Sequence, residues 1–248
     1  MFIYKHQCCL AKSDAELTTA REFSGLQAPS VTGVPDCLFF LGDSITLGWR
    51  DEDLGGWPAR LMRRLAAAGH DITGYNLGIR GDTSREIADR WEAEVGRRRR
   101  GARPLLVFAF GVNDAKLEPD GRRCLPLEET TANIRRILRD ASPYRVLVIG
   151  PAPIEEPVML RHLNADGRAA MPTMTEIADV DRHLAREAAA AHAPYLDLLS
   201  ALAGNAAWRQ ALVETDGLHP SSSGHDILAD AIEAWPAWAD LFALRRGA

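Results

Sequence analysis

Gly42-Asp43-Ser44-Ile45-Thr46 closes an apolar run, Cys37–Leu41, and so places a serine at the carboxyl end of a strand. Far along the chain, Asp216-Gly217-Leu218-His219-Pro220 supplies a carboxylate and an imidazole three positions apart, just before the last helical stretch. A serine hydroxyl is a weak nucleophile until a base takes its proton, and the base works best when a third group orients it. Asp216 can hydrogen-bond His219 within one turn, fix its tautomer and leave the other ring nitrogen to face Ser44. His225 is the nearest rival base, but the carboxylate closest to it in sequence is its neighbour Asp226.

Two further segments could hold a developing oxyanion. Asn76-Leu77-Gly78-Ile79-Arg80-Gly81-Asp82-Thr83-Ser84 carries two glycines that allow a tight turn, with Asp82, Thr83 or Ser84 free to cap a following helix. Its functional reading makes the Gly81 N–H an oxyanion donor. Phe110-Gly111-Val112-Asn113-Asp114 offers a neutral amide donor at the end of a strand. Taken singly, each segment also has a plain reading. Asp43 or Ser44 can be a helix N-cap, residues 76–84 a strand-to-helix loop, and Asn113-Asp114 a turn cap.

The elements that must position these residues alternate. Apolar runs of strand length occur at Cys37–Leu41, Ile72–Asn76, Leu105–Phe110, Val146–Ile149 and Tyr195–Leu198. Between them lie stretches of helical length. Trp57, Leu61 and Leu65 are spaced by four, as are Ile87, Trp91 and Val95. Leu127–Asp140 carries Ile134, Ile137 and Leu138, and Thr173–Ala191 carries Ile177, Val180 and Leu184. Ser222–Phe242 reads as a closing helix. These spacings put the apolar groups on one helix face. Wholly apolar strands separated by helices predict a parallel sheet covered on both faces, with ligands beyond the carboxyl ends of the strands. Ser44, Asn113 and the Gly150-Pro151 turn then share one edge of the sheet.

Composition excludes several other classes. The 248 residues suit one domain with a substantial core, preceded by an extension over residues 1–34 with a short helix expected around Ala11–Phe23. A net charge of -5 argues against nucleic acid as a partner. The cluster Arg97–Arg100, with Arg103 close by, reads as the solvated end of a helix, where cations complement the dipole. Cys8, Cys9, Cys37 and Cys124 have no zinc-ligand spacing, and a reducing compartment fits them. Lys5, His6 and Gln7 interrupt the apolar start of the chain, and no apolar run is long enough to span a membrane, so a cytoplasmic protein is expected. The Gly42-Asp43-Ser44-Ile45-Thr46-Leu47-Gly48 stretch lacks the glycine-lysine pattern of a phosphate loop, and it is not a G-x-S-x-G elbow.

In this order the four segments resemble the SGNH (GDSL-type) hydrolase family over roughly residues 36–242. Its hallmark residues map onto Ser44, Gly81, Asn113 and His219, with Asp216 as the acid. The first block reads Gly-Asp-Ser-Ile where leucine is commonest at the fourth position. The resemblance implies a three-layer α/β/α sandwich whose five parallel strands run in the flavodoxin-like order 2-1-3-4-5. It also implies hydrolysis of a small-molecule ester through an acyl-serine, with no metal or cofactor. Short to medium acyl esters are the expected substrates. Thioesters, lysophospholipids and acetylated carbohydrates are alternatives, and so is a non-catalytic binding module of the same fold. The long connection from Pro151 to Pro172 is expected near the site, as a pocket wall or mobile flap, or else as a surface loop.

Overall fold

The computed structural model describes residues 33–53, 55–99 and 103–243. The expected helix at 11–23, Cys8, Cys9, the N-terminal ten residues and almost all of the 1–34 extension lie outside the described residues.

In chain order the elements are β1 (Cys37–Gly42), α1 (Ser44–Leu47), α2 (Gly56–Ala67), β2 (Thr73–Gly78), α3 (Ser84–Arg98), β3 (Pro104–Ala109), β4 (Lys116–Leu117), α4 (Leu127–Asp140), β5 (Arg145–Ile149), α5 (Glu156–Leu163), β6 (Met171–Pro172), α6 (Met174–Ala190), β7 (Tyr195–Leu196), α7 (Leu198–Ala201), α8 (Ala206–Val213), α9 (Ser222–Glu233) and α10 (Pro236–Phe242). Five strands form one sheet in the order β2-β1-β3-β5-β7, and every pair in it is parallel. Counted along the chain within that sheet, the order is the expected 2-1-3-4-5. β4 and β6 make a separate antiparallel pair, Lys116 opposite Pro172 and Leu117 opposite Met171.

Side chains alternate across each strand, so the central strands feed two cores. Leu38, Phe40, Leu105, Val107, Leu147 and Ile149 face Trp57, Leu61, Leu228, Ile232 and Trp238 on one side. Phe39, Leu41, Leu106, Phe108 and Val148 face Ile87, Trp91, Ile134, Ile137 and Leu184 on the other. Full burial of one such side chain stabilises by about 1.5–3 kcal/mol. That favours only this register, because a slip by one residue would exchange the two faces.

Local signals set several helix ends. Thr83 caps α3 in a reciprocal capping box with Glu86. The expected single helix over 222–242 is two helices, because Pro236 lacks an N–H and disfavours helical geometry at Trp235. Trp238 packs in the core rather than facing outward. β2 departs from the wholly apolar pattern: Thr73, Gly74 and Asn76 are exposed, as an edge strand allows. Arg97 and Arg98 lie in the last turn of α3, where Arg98 donates to the Glu94 carbonyl at 2.8 Å. Among the described residues, no helix is long and apolar enough to cross a membrane.

Candidate active site

Asp43 is the N-cap of α1, and its carboxylate accepts the Ile45 N–H at 2.9 Å. That cap turns the chain sharply after β1 and makes Ser44 the first helical residue. Its N–H is then one of those a helix start leaves without an intrahelical acceptor. Burial pushes the Asp43 carboxyl up to about 6, against the pull of the Ile45 N–H, His219 and Lys116.

Ser44 Oγ lies 2.9 Å from His219 Nε2. On the far side of the ring, Nδ1 is 3.0 Å and 3.1 Å from the two Asp216 oxygens. An ionised carboxylate only accepts, so Nδ1 carries the hydrogen and Nε2 is the acceptor that faces Ser44. Asp216 also takes the N–H groups of Leu218 and His219, at 3.1 Å and 2.9 Å. Burial raises its carboxyl, but the bonds and charge of His219 and these two N–H groups outweigh it. They hold Asp216 well below the usual carboxylate range. Ser44, Asp216 and His219 are all buried.

The loop bearing Asp216 and His219 is fastened by its neighbours. Gly217 has a φ of +80°, and a Cβ there would meet the Glu155 carbonyl at 2.7 Å and collide with the Met159 N–H. The Glu155 N–H donates to the Gly217 carbonyl at 2.8 Å. Met159 is fully buried with Val112, Ile177, Val180 and Leu218. The start of the 151–172 connection is thus a buttress beneath the loop that bears Asp216 and His219. The end of α5 forms a wall instead: His162 and Leu163 join Arg50, Glu214 and Asp216 around an open polar cleft of about 500 Å³. A second cavity, about 30 Å³, lies under α1 between Asp43, Ile45, Trp57 and Pro151. Neither is lined by Ser44, His219 or Asn113.

In the loop after β2, Gly81 has a φ of +85°, a conformation that L side chains rarely adopt, in open space. Asn113 Nδ2 donates one hydrogen to the Asp82 carbonyl at 2.9 Å. This bond aims the amide and leaves its second hydrogen available. Asp114 accepts the Ser84 N–H at 2.9 Å and so joins the start of α3 to the Asn113 turn. Burial raises the fully enclosed Asp114 carboxyl to about 6, despite its bond from the Ser84 N–H.

Other supporting residues carried no recognisable sequence signal. Arg50 Nε donates to Asp216 at 3.3 Å. Arg90 donates to Asp82 at 2.7 Å and to the Gly42 carbonyl at 3.0 Å, clipping the end of β1 to the Gly81 loop. Buried Arg60 binds Asp51 at 2.7 Å and 3.2 Å and also pairs with Asp226, locking the loop after α1 onto α2 and α9. His225, the rival base, is fully buried in α9, and burial lowers it to about 4. Among the described residues, no group of three His, Cys, Asp or Glu side chains could hold a metal ion.

Residues 40–227 match the GDSL-like Lipase/Acylhydrolase family. The chain belongs to that family. It is an SGNH-type ester hydrolase. An acetylxylan esterase of Geobacillus stearothermophilus is 28% identical over 219 residues, covering 80% of this chain and 93% of that protein. A solved lipase/acylhydrolase from Enterococcus faecalis is 26% identical, with a TM-score of 0.61 over 79% of this chain and 92% of its own. A crystal structure of the Geobacillus acetylxylan esterase shares the fold at 22% identity and a TM-score of 0.58, over 83% of this chain and 97% of its own. Catalytic mutants of that esterase have also been solved, at a serine, an aspartate and a histidine.

Proposed function

We propose that this family member hydrolyses carboxylic esters of short to medium acyl chains through an acyl-serine, with Ser44, His219 and Asp216 as the triad. The observation that carries this reading is the continuous chain from Ser44 Oγ to His219 Nε2 at 2.9 Å and from His219 Nδ1 to Asp216 at 3.0 Å. Ser44 Oγ attacks the ester carbonyl while His219 Nε2 takes its proton. Asp216 stabilises the imidazolium and keeps it oriented. The N–H groups of Ser44 and Gly81 and the free hydrogen of Asn113 Nδ2 hold the tetrahedral oxyanion. His219 returns the proton to the departing alcohol oxygen, leaving the acyl group on Ser44. It then takes a proton from a water whose oxygen attacks the acyl carbonyl, and gives that proton to Ser44 Oγ as the acyl–Oγ bond breaks and the carboxylic acid leaves.

The acetylxylan esterase relative favours a second reading, deacetylation of an acetylated carbohydrate. Reaction with a serine-directed fluorophosphonate, together with turnover of p-nitrophenyl acetate, tests the mechanism. Labelling of the wild type but not of Ser44→Ala is expected. Neither labelling nor turnover would leave the fold as a binding module. A panel of esters varied in acyl chain and alcohol, acetylated xylooligosaccharides included, separates the two substrate readings.

A further inference from the structure

Arg80 immediately precedes Gly81 and is exposed to solvent. Among the described residues, no carboxylate lies within ion-pair distance of it and no protein acceptor takes its hydrogen bonds. Among the described residues exposed Arg103 pairs with Asp36 at 3.3 Å, whereas exposed Arg63, Arg97 and Arg161 make no ion pair; Arg80 differs from these in what its guanidinium rests on. Arg80 instead lies against the half-buried Trp49 ring, its guanidinium carbon 3.5 Å from the centroid. The Trp49 N–H donates to the Ser44 carbonyl at 2.9 Å, so this ring belongs to the nucleophile's own turn. The Arg50 guanidinium lies 5.7 Å from the same ring, while its Nε is bound to Asp216. The stack therefore runs from the Gly81 loop to the triad acid, across the turn that presents Ser44. Leu47 at the end of α1 and Ile79 in the Gly81 loop, 38% and 44% exposed, add apolar surface.

A guanidinium held against an aromatic ring keeps its edge donors free and gives up part of its hydration and rotamer freedom in advance. Its planar fork matches a carboxylate or phosphate in bidentate fashion. We propose that Arg80, seated on Trp49, binds an anionic group of the ester substrate, so that the site prefers esters bearing a carboxylate or phosphate on an apolar body. The inference rests on the hydrolase reading above and narrows its substrate class. The anion can sit on the alcohol or on the acyl side, and the two are separable by experiment.

The test compares kcat/KM for matched pairs. 4-Acetoxybenzoate against phenyl acetate places the charge on the alcohol, and phenyl hemisuccinate against phenyl butyrate places it on the acyl group. In at least one pair the charged ester is expected to be favoured about tenfold or more. Arg80→Gln should bring that ratio close to one, Arg80→Lys should keep part of it, and Arg80→Glu should invert it. Ratios unchanged by Arg80→Gln and Arg80→Glu in both pairs would overturn the proposal. A binding readout that needs no turnover uses Ser44→Ala with 4-hydroxybenzoate against phenol and 4-hydroxybutyrate against butanol, measured by calorimetry with and without Arg80→Gln. Absent turnover with Arg80-dependent anion binding would sink the hydrolase reading and keep the anion site. Absence of both would sink the two together.

Discussion

Ser44 Oγ and His219 Nε2 lie 2.9 Å apart although 175 positions separate them in the chain. The contact joins the end of the first strand to the loop before α9. Removing either member should abolish the same step. Ser44→Ala and His219→Ala are each expected to lower kcat roughly 10⁶-fold, and the double variant no further. Asp216→Asn should cost less, roughly 10⁴-fold, because the ring stays in place with the wrong tautomer favoured. Steady-state kinetics on p-nitrophenyl acetate measure all three. A harmless Asp216→Asn would remove Asp216 from the triad.

Among the described residues Asn113 Nδ2 makes one protein bond, to the Asp82 carbonyl, and its proposed second bond exists only with the oxyanion. Asn113→Ala should therefore lower kcat by roughly 10²–10³ and leave KM nearly unchanged. A rise in KM with kcat preserved would mark Asn113 as a ground-state contact instead.

Gly217 and Gly81 both have positive φ but differ in surroundings. Gly81→Ala meets open space and carries only the left-handed strain, about 1–2 kcal/mol. Gly217→Ala adds a collision with the backbone of Glu155 and Met159 beneath the acid–base loop. Thermal unfolding should show the larger loss for Gly217→Ala, and its kcat should fall as His219 moves away from Ser44. Equal losses of stability would argue that α5 yields readily.

Buried carboxylates and a buried histidine set opposing pH slopes. Asp114 is raised to about 6, so the folded state holds a proton that the unfolded chain releases near 4. Its contribution is fully present below pH 4 and is lost as pH rises through about 6, a change on the order of 3 kcal/mol. Asp43, also raised to about 6, acts in the same direction. His225 is lowered to about 4, so its contribution is present above pH 6.5 and is lost as pH falls toward 4. Urea unfolding from pH 4 to 7.5 should show wild type losing stability relative to Asp114→Asn as pH rises. It should gain stability relative to His225→Phe over the same interval. Parallel curves would contradict the assigned shifts.

Arg60 is 3% exposed and shares Asp51 with the Ser222 hydroxyl and the Gly56 N–H. Burial raises Asp51, yet these partners hold it well below the usual carboxylate range. Arg60→Met would strand that carboxylate, at an expected cost of about 3–5 kcal/mol. Chemical denaturation measures the loss. A variant as stable as wild type would mean that water replaces the guanidinium.

The periodicities of Trp57–Leu65, Ile87–Val95 and Ile134–Leu138 revealed their helices because one face of each is buried, a pattern written in neighbouring residues. The central apolar strands were legible for the same reason. β2 was misjudged as wholly apolar because edge position is a property of the sheet. The four-residue α7 and the two-residue β4 and β6 were missed, and so was α8, whose Trp208, Ala211 and Leu212 were buried by partners invisible along the chain. The break at Pro236 was legible in principle, since proline acts on its own neighbours.

The sequence by itself determined the order of the four motif segments, the alternation of strands and helices and the closeness of Asp216 to His219, whose three-residue spacing closes within one loop. Only the tertiary structure decided that Nε2 rather than His225 meets Ser44, that Asn113 is aimed by the Asp82 carbonyl, that α5 props the Gly217 loop, and that Arg80 rests on Trp49. Local hydrogen bonds and hydrophobic periods act over a few residues and leave a mark in the sequence. Contacts between distant loops arise only when the parallel sheet brings the carboxyl ends of its strands to one edge.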